Sequence, residues 1–234
     1  MTVLYLIPTL LVEDTIHNVL PNNVIEIIRG LDNFIVEDIR TARRFISKID
    51  HPKRIETLQF RELNIDTSAN DIGLLKSFIQ ASDTGVLSEA GAPGVADPGA
   101  AIVRLAHENN IKVIPLVGPS SILLALMASG LNGQSFAFAG YLPVKKQERQ
   151  ERLRALERRS EKEKQTQIFI ETPYRNMQLI EDILTNCRLS TVLTIAADIT
   201  GKSEFIRSQS VRNWKKKKLP ELHKIPAVFL LQAI

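Results

Sequence analysis

The residues best suited to chemistry sit in three short stretches rich in turn formers. The longest is Ser88-Glu89-Ala90-Gly91-Ala92-Pro93-Gly94-Val95-Ala96-Asp97-Pro98-Gly99. Its glycines permit positive φ and let a ligand approach the main chain, while its prolines stiffen the loop. Exposed peptide groups could then grip a ligand without long side chains. The plainer alternative is a rigid connector in which Asp97 caps a helix.

The second stretch, Val117-Gly118-Pro119-Ser120-Ser121, places two hydroxyls where a helix begins. They could cap that helix, or its first amides could bind a carboxylate or phosphate. The third, Glu37-Asp38-Ile39-Arg40, sets acids and a base at a strand end, either for proton transfer or to bridge neighbouring loops.

Several reaction classes lack their residues. The sequence contains no phosphate loop ending in glycine, lysine and serine, and no Gly-x-Gly-x-x-Gly follows the first apolar run. No histidine lies in the glycine-rich turns and no nucleophile elbow is present, which argues against a serine or cysteine hydrolase. His17, His51, His107, His223 and the single Cys187 show no metal-ligand spacing, so no metal is expected. What remains is a cofactor that brings its own reactive group.

These turns need a frame, and the apolar pattern supplies one. Val3 to Ile7 reads as a buried strand, Val24, Ile27, Ile28 and Leu31 as a helix opened by Asn22 and Asn23, and Asn33 to Glu37 as a second strand. A helix follows from Arg40 to Ile49, stopped near Pro52. Glu56 to Leu63 reads as a strand because Leu58 and Phe60 alternate with polar residues. Polar residues around Ser68 and Asn70 open the next helix. Then come a strand at Val86 to Ser88, a helix at Ala100 to Asn109 and a strand at Lys112 to Val117.

Strands alternating with helices predict a mainly parallel, doubly wound α/β sheet, with its strand-end turns gathered along one edge. A second α/β domain is expected from residue 118 to 234, with residues 1 to 117 forming the first. Its elements are a helix at Ser120 to Ser129, a strand at Ser135 to Ala139, a charged helix at Lys146 to Lys164 and a strand at Thr166 to Ile170. A helix at Arg175 to Thr185, a strand at Thr191 to Ala196, a strand near Phe205, a basic turn around Trp214 and a strand at Ala227 to Ala233 complete it.

The chain of 234 residues, 44% hydrophobic and 24% charged, can bury one large core or two small ones. Its longest apolar stretch, Ile122 to Ala128, is too short to span a membrane. Met1 to Pro8 lacks the basic and apolar regions of an export leader, so a cytoplasmic protein is expected. The net charge of +4 is concentrated at Lys145 to Lys164 and Lys215 to Lys218, which suits either a solvated surface or a polyanionic partner.

Taken in order, the turns resemble those of the tetrapyrrole methylase superfamily. Within it they are most similar to the branch that methylates a cytidine ribose 2′-hydroxyl in small-subunit ribosomal RNA. The resemblance is carried by Leu4 to Thr9, Glu37 to Arg40, Ser88 to Gly99, Pro115 to Ser120, Ser129-Gly130-Leu131, Gly140-Tyr141-Leu142-Pro143 and Glu171-Thr172-Pro173-Tyr174-Arg175. It implies two α/β domains, a mixed sheet in the second, a homodimer, and S-adenosyl-L-methionine in the cleft between the domains. The implied cofactor contacts are Pro8, Ser88, Glu89, Ala90, Gly91, Ala92, Pro93, Ser120, Ser121, Leu142 and Ala197.

A ribose acceptor must lose its proton, and Asp38, Glu89 and Asp97 are the nearest bases. Arg40, Arg43, Arg44, the charged helix and Lys215 to Lys218 would hold phosphates of ribosomal RNA. The sequence departs from the branch at Thr9-Leu10-Leu11-Val12-Glu13, where proline, glycine and asparagine are usual, and at Glu89, where aspartate is usual. These departures leave open a tetrapyrrole-like or other small-molecule acceptor, or a cofactor-binding protein without catalysis.

Overall fold

A computed structural model describes residues 2–64 and 66–234. Met1, at the head of the segment weighed as an export leader, lies outside the described residues. The chain divides into two compact units, Met1–Ser120 and Ser121–Ile234.

The first unit holds five parallel strands: β1 (Val3–Ile7), β2 (Asn33–Val36), β3 (Gln59–Glu62), β4 (Thr84–Leu87) and β5 (Lys112–Pro115). Their order is β3-β2-β4-β1-β5. The central strands are buried on both faces, which is why their sequences are continuous apolar runs. Helices α2 (Asn22–Arg29) and α3 (Ile39–Lys48) cover one face, where Ile28, Ile46 and Phe45 pack on Ile7, Phe34 and Leu87. Helices α4 (Ala69–Ala81) and α5 (Gly99–Glu108) cover the other, where Ile79 and Ile102 pack on Leu4, Ile35 and Val86.

The chain leaves β2 toward one edge of the sheet, to β3, and leaves β4 toward the other, to β5. The loops after β2 and β4 therefore diverge, and a crevice opens at their carboxyl ends. Gly85 in β4 is required by packing, since a Cβ there would lie 2.5 Å from Ile7 Cδ1 and 3.0 Å from Phe34 Cδ1.

The second unit opens with α6 (Ser121–Ser129) and holds a mixed sheet in the order β6-β7-β10-β8-β9. Its strands are β6 (Phe136–Tyr141), β7 (Thr166–Ile170), β8 (Val192–Ala197), β9 (Phe205–Ser210) and β10 (Ala227–Gln232). Only β6 and β7 run parallel; the other pairings are antiparallel. Helices α7 (Lys146–Glu163) and α8 (Asn176–Asn186) pack through Leu153, Leu156, Leu179 and Ile183 on Phe169, Ile195 and Phe229. The short α9 (Val211–Trp214) buries Trp214, whose Nε1 donates to the Leu193 carbonyl at 2.9 Å. No helix among the described residues is long and apolar enough to cross a membrane.

Two expectations need correction, and one element was not expected. Glu56 to Leu63 is not one strand: Ile55–Thr57 forms a 3-10 turn and the strand starts at Gln59, because the chain must first bury Leu58. The helix expected after Asn22 is entered at Pro21, whose fixed φ suits a helix start, and neither asparagine caps it. A one-turn helix, α1 (Ile16–Val19), precedes it and shows no recognisable period.

Candidate functional site

The loops after β1, β2 and β4 meet at the carboxyl edge of the first sheet and enclose a concavity of about 200 Å³. Its walls include Thr9 to Glu13, Glu37, Asp38, Thr41, Arg44, Lys48 and Ser88 to Ala90. Thr9 ties the first loop to the third: its amide donates to the Gly91 carbonyl at 2.9 Å and its buried hydroxyl to the Ser88 carbonyl at 3.1 Å. Ser88 Oγ donates to the same Gly91 carbonyl at 3.1 Å. Those bonds fix the base of the glycine-rich loop, and Gly91 turns it with a φ of 77°.

Asp97 fixes the far end. Its Oδ1 accepts from the amides of Gly94 and Gly99, both at 2.7 Å, while its Oδ2 is buried without a partner. Between these anchors Glu89 and Ala90 are exposed. Pro8, at the mouth of β1, packs against the loop after β5: a Cβ on Gly118 would stand 2.5 Å from Pro8 Cβ. That contact accounts for the glycine preceding Pro119 and half-buried Ser120.

The three candidate bases differ in what already binds them. Asp38 caps α3, accepting from the Thr41 amide at 2.7 Å, and that bond holds its carboxyl below the usual range. Asp97 is engaged by two amides. Glu89 is held above the usual range, first by partial desolvation in the concavity and then by repulsion from Asp38 and Glu37, with a Thr41 hydrogen bond opposing the shift. In sequence Glu37 reads only as part of the turn from Glu37 to Arg40 and is not among the three named bases, yet its Oε1 accepts the Glu89 amide at 2.9 Å. Burial raises its carboxyl as well, with repulsion from Asp97 adding to the shift and the Glu89 amide opposing it. Its position at a strand end beside Asp38 was the available signal. Lys48 was also missed: it pairs with Asp14 at 3.0 Å and Glu13 at 3.3 Å, clasping the first loop to α3.

In the second unit the residues expected to hold the cofactor also lie at a strand edge. Leu142 follows β6 and Ala197 closes β8, and both side chains are buried in the core of that unit. Only their main chain is free to meet a ligand. Ser121 begins α6 and is half-buried.

The basic residues divide. Arg40, Arg43, Arg44 and Lys215 to Lys218 are exposed, and the Arg43 guanidinium lies over the Phe60 ring at 5.3 Å. Arg149 of the charged helix is fully buried against Asp182, so it is removed from the phosphate-binding set.

A doubly wound sheet followed by a mixed-sheet unit is a fold shared with solved structures. It matches the structure of the methyltransferase CobJ with a TM-score of 0.62, 16% identity and coverage of 99% of this chain and 92% of that one. It matches diphthine synthase with a TM-score of 0.67, 14% identity and coverage of 99% and 90%. No family model matches the chain.

Curated relatives narrow the class. The ribosomal RNA small subunit methyltransferase I of Escherichia coli O157:H7 is 30% identical over 210 residues, covering 89% of this chain and 69% of the relative. That of Bacillus subtilis is 32% identical over 215 residues, covering 88% and 67%, and that of Buchnera aphidicola is 37% identical over 134 residues, covering 56% and 46%. The match thus spans less than half of the Buchnera relative and about two thirds of the other two. The chain belongs to the ribosomal RNA small subunit methyltransferase I family.

Proposed function

We propose that this chain uses S-adenosyl-L-methionine to methylate ribosomal RNA at a ribose 2′-hydroxyl. The observation that carries the reading is the loop from Ser88 to Gly99, stapled at both ends and lined by small residues at the switch point of the sheet. Its make-up fits the cofactor. Gly91 leaves room at the loop base, Ala90 and Ala92 leave the main chain approachable, and carboxylates nearby suit a sulfonium cation.

When bound, the cofactor supplies an electrophilic methyl group. The proposed contacts in the first unit are Pro8, Ser88 to Pro93 and Ser120; those in the second are Ser121, Leu142 and Ala197. Glu89 is the proposed acceptor of the hydroxyl proton. It is exposed, and its raised carboxyl makes it a stronger base than Asp38, which is held low by the Thr41 amide. Asp97 keeps the loop in shape. Arg40, Arg43, Arg44 and Lys215 to Lys218 are the proposed phosphate contacts, and the proposed state is a cytoplasmic homodimer.

Mass mapping of ribosomal RNA from a strain lacking the gene should show one ribose methyl missing. An unchanged map would remove the RNA assignment. Calorimetry with S-adenosyl-L-methionine tests the chemistry separately, because a folded protein that fails to bind it cannot be the methyltransferase described.

A further inference from the structure

The turn after β7 carries a group to which the proposed methyl transfer gives no role. Tyr174, in the turn after β7, is 69% exposed although it is a large aromatic in a rigid setting. Its ring meets that of His223 edge-on, with centroids 5.9 Å apart and planes at 73°.

The two loops carrying these rings are stitched together. The amide of Lys224 donates to the Pro173 carbonyl at 3.1 Å. Asn176, fully buried at the start of α8, donates from Nδ2 to the carbonyls of Ile225 at 2.7 Å and Leu222 at 3.3 Å. Arg175 is held by buried Glu171, whose Oε1 accepts from its Nε at 3.0 Å and Nη2 at 2.6 Å. Arg175 Nη1 stays uncommitted in that pairing, and Lys224 is exposed.

An exposed aromatic normally pays for its display with lost burial and with side-chain freedom that binding must later remove. Here hydrogen bonds order both loops and the ring rests against that of His223, which limits the freedom left to lose. Arg175 follows Tyr174 in sequence, and Lys224 follows His223. An exposed ring on ordered loops beside positive charge is suited to stack an unpaired nucleobase whose phosphates meet the cations. A duplex offers no such face, because its bases are already stacked.

We propose that Tyr174, supported by His223 and with Arg175 and Lys224 on the same two loops, is a stacking platform for an unpaired base of single-stranded RNA. The proposal rests on the RNA reading above and assigns to this edge the recognition of substrate outside the reacting nucleotide.

The test compares wild type, Tyr174→Ala, Tyr174→Phe and Lys224→Gln by fluorescence anisotropy. The probes are a labelled single-stranded ribo-oligonucleotide of mixed sequence and a matched RNA duplex. Loss of a stacked base should weaken single-strand binding by Tyr174→Ala by about 5- to 150-fold at every salt concentration, leaving duplex binding unchanged. Tyr174→Phe keeps the ring and should bind as wild type. Lys224→Gln should reduce the salt dependence by about one phosphate contact. Melting temperature and cofactor affinity should stay constant across the set, since Tyr174 is exposed and belongs to no core.

Equal binding by wild type and Tyr174→Ala would overturn the platform and leave the RNA reading standing. A parallel loss on the duplex would also overturn it, by showing that Tyr174 does not discriminate strands. Failure of wild type to bind either probe, with the ribosomal RNA map unchanged in the deletion strain, would take down the RNA reading and the platform with it.

Discussion

The amide of Glu89 donates to Glu37 Oε1 across 2.9 Å, so a carboxylate at the end of β2 holds the loop that follows β4. The bond crosses the crevice where the two loops diverge, and it brings two acids together. Burial leads the causes that raise both carboxyls.

The sign of the resulting pH dependence follows from linkage. Glu37 titrates above its ordinary value of 4.5 in the folded chain. Its stabilising contribution is therefore complete below that value and is lost as pH rises through the folded pKa. Glu37→Gln keeps an oxygen for the Glu89 amide and removes the charge. The variant should melt slightly above wild type at neutral pH, with the gap closing as pH falls below the usual glutamate range. Thermal melts across that interval check it, and a gap that widens on acidification would contradict the assignment.

Gly91 joins conformation to cofactor binding. At a φ of 77° any L side chain is strained, and a Cβ would lie 3.2 Å from Leu11 Cδ2 and 3.6 Å from the Pro119 carbonyl. Gly91→Ala should cost about 1 to 2 kcal/mol of stability, since Leu11 can give way but the backbone cannot. Gly91→Val should reduce cofactor affinity by more than about tenfold, because the loop must move where the ligand is to be gripped. Denaturant melts and calorimetry on both variants separate these effects.

The strands and their parallel sense were legible in the sequence, whereas their order in the sheet was not. Continuous apolar runs such as Val3 to Ile7 announced buried parallel strands, and the turn formers at Ser88 to Gly99 announced a loop with a task. What the sequence hides is partnership at long range. Glu37 reads as one acid among several until Glu89, distant in sequence, is brought beside it by adjacent strands. Arg149 reads as one more cation in a charged helix, and nothing local distinguishes it from Arg152 or Arg154, which remain exposed. The strand expected from Glu56 failed for a related reason: alternation at Leu58 and Phe60 persists through the extended entry to β3, so period alone does not mark where pairing starts.

Cys187 offers a clean contrast between burial and reactivity. Desolvation, with Glu157 adding to it, pushes its thiol up to about 12. The thiolate is therefore scarce at any physiological pH, and the side chain is buried. Iodoacetamide at about pH 8 should leave the native protein unlabelled and should modify Cys187 fully in denaturant. Rapid labelling of the native chain would show that the segment after α8 opens readily.

The pair formed by Arg149 and Asp182 should govern the stability of the second unit. Arg149 donates from Nε to Asp182 Oδ2 at 2.8 Å and from Nη1 to the Val144 carbonyl at 2.7 Å, joining α7, α8 and the turn after β6. The side chains are only 1% and 5% exposed, so removing the cation leaves a buried carboxylate whose charge is met only by the Gln150 amide at 3.2 Å. Arg149→Met should cost about 3 to 5 kcal/mol, read by urea denaturation. Adding Asp182→Leu removes the stranded charge, and the double variant should recover most of that loss, because the attraction of a buried pair is largely offset by its desolvation. If the double variant is no more stable than Arg149→Met, the bond to the Val144 carbonyl, rather than the ion pair, is what holds the three segments together.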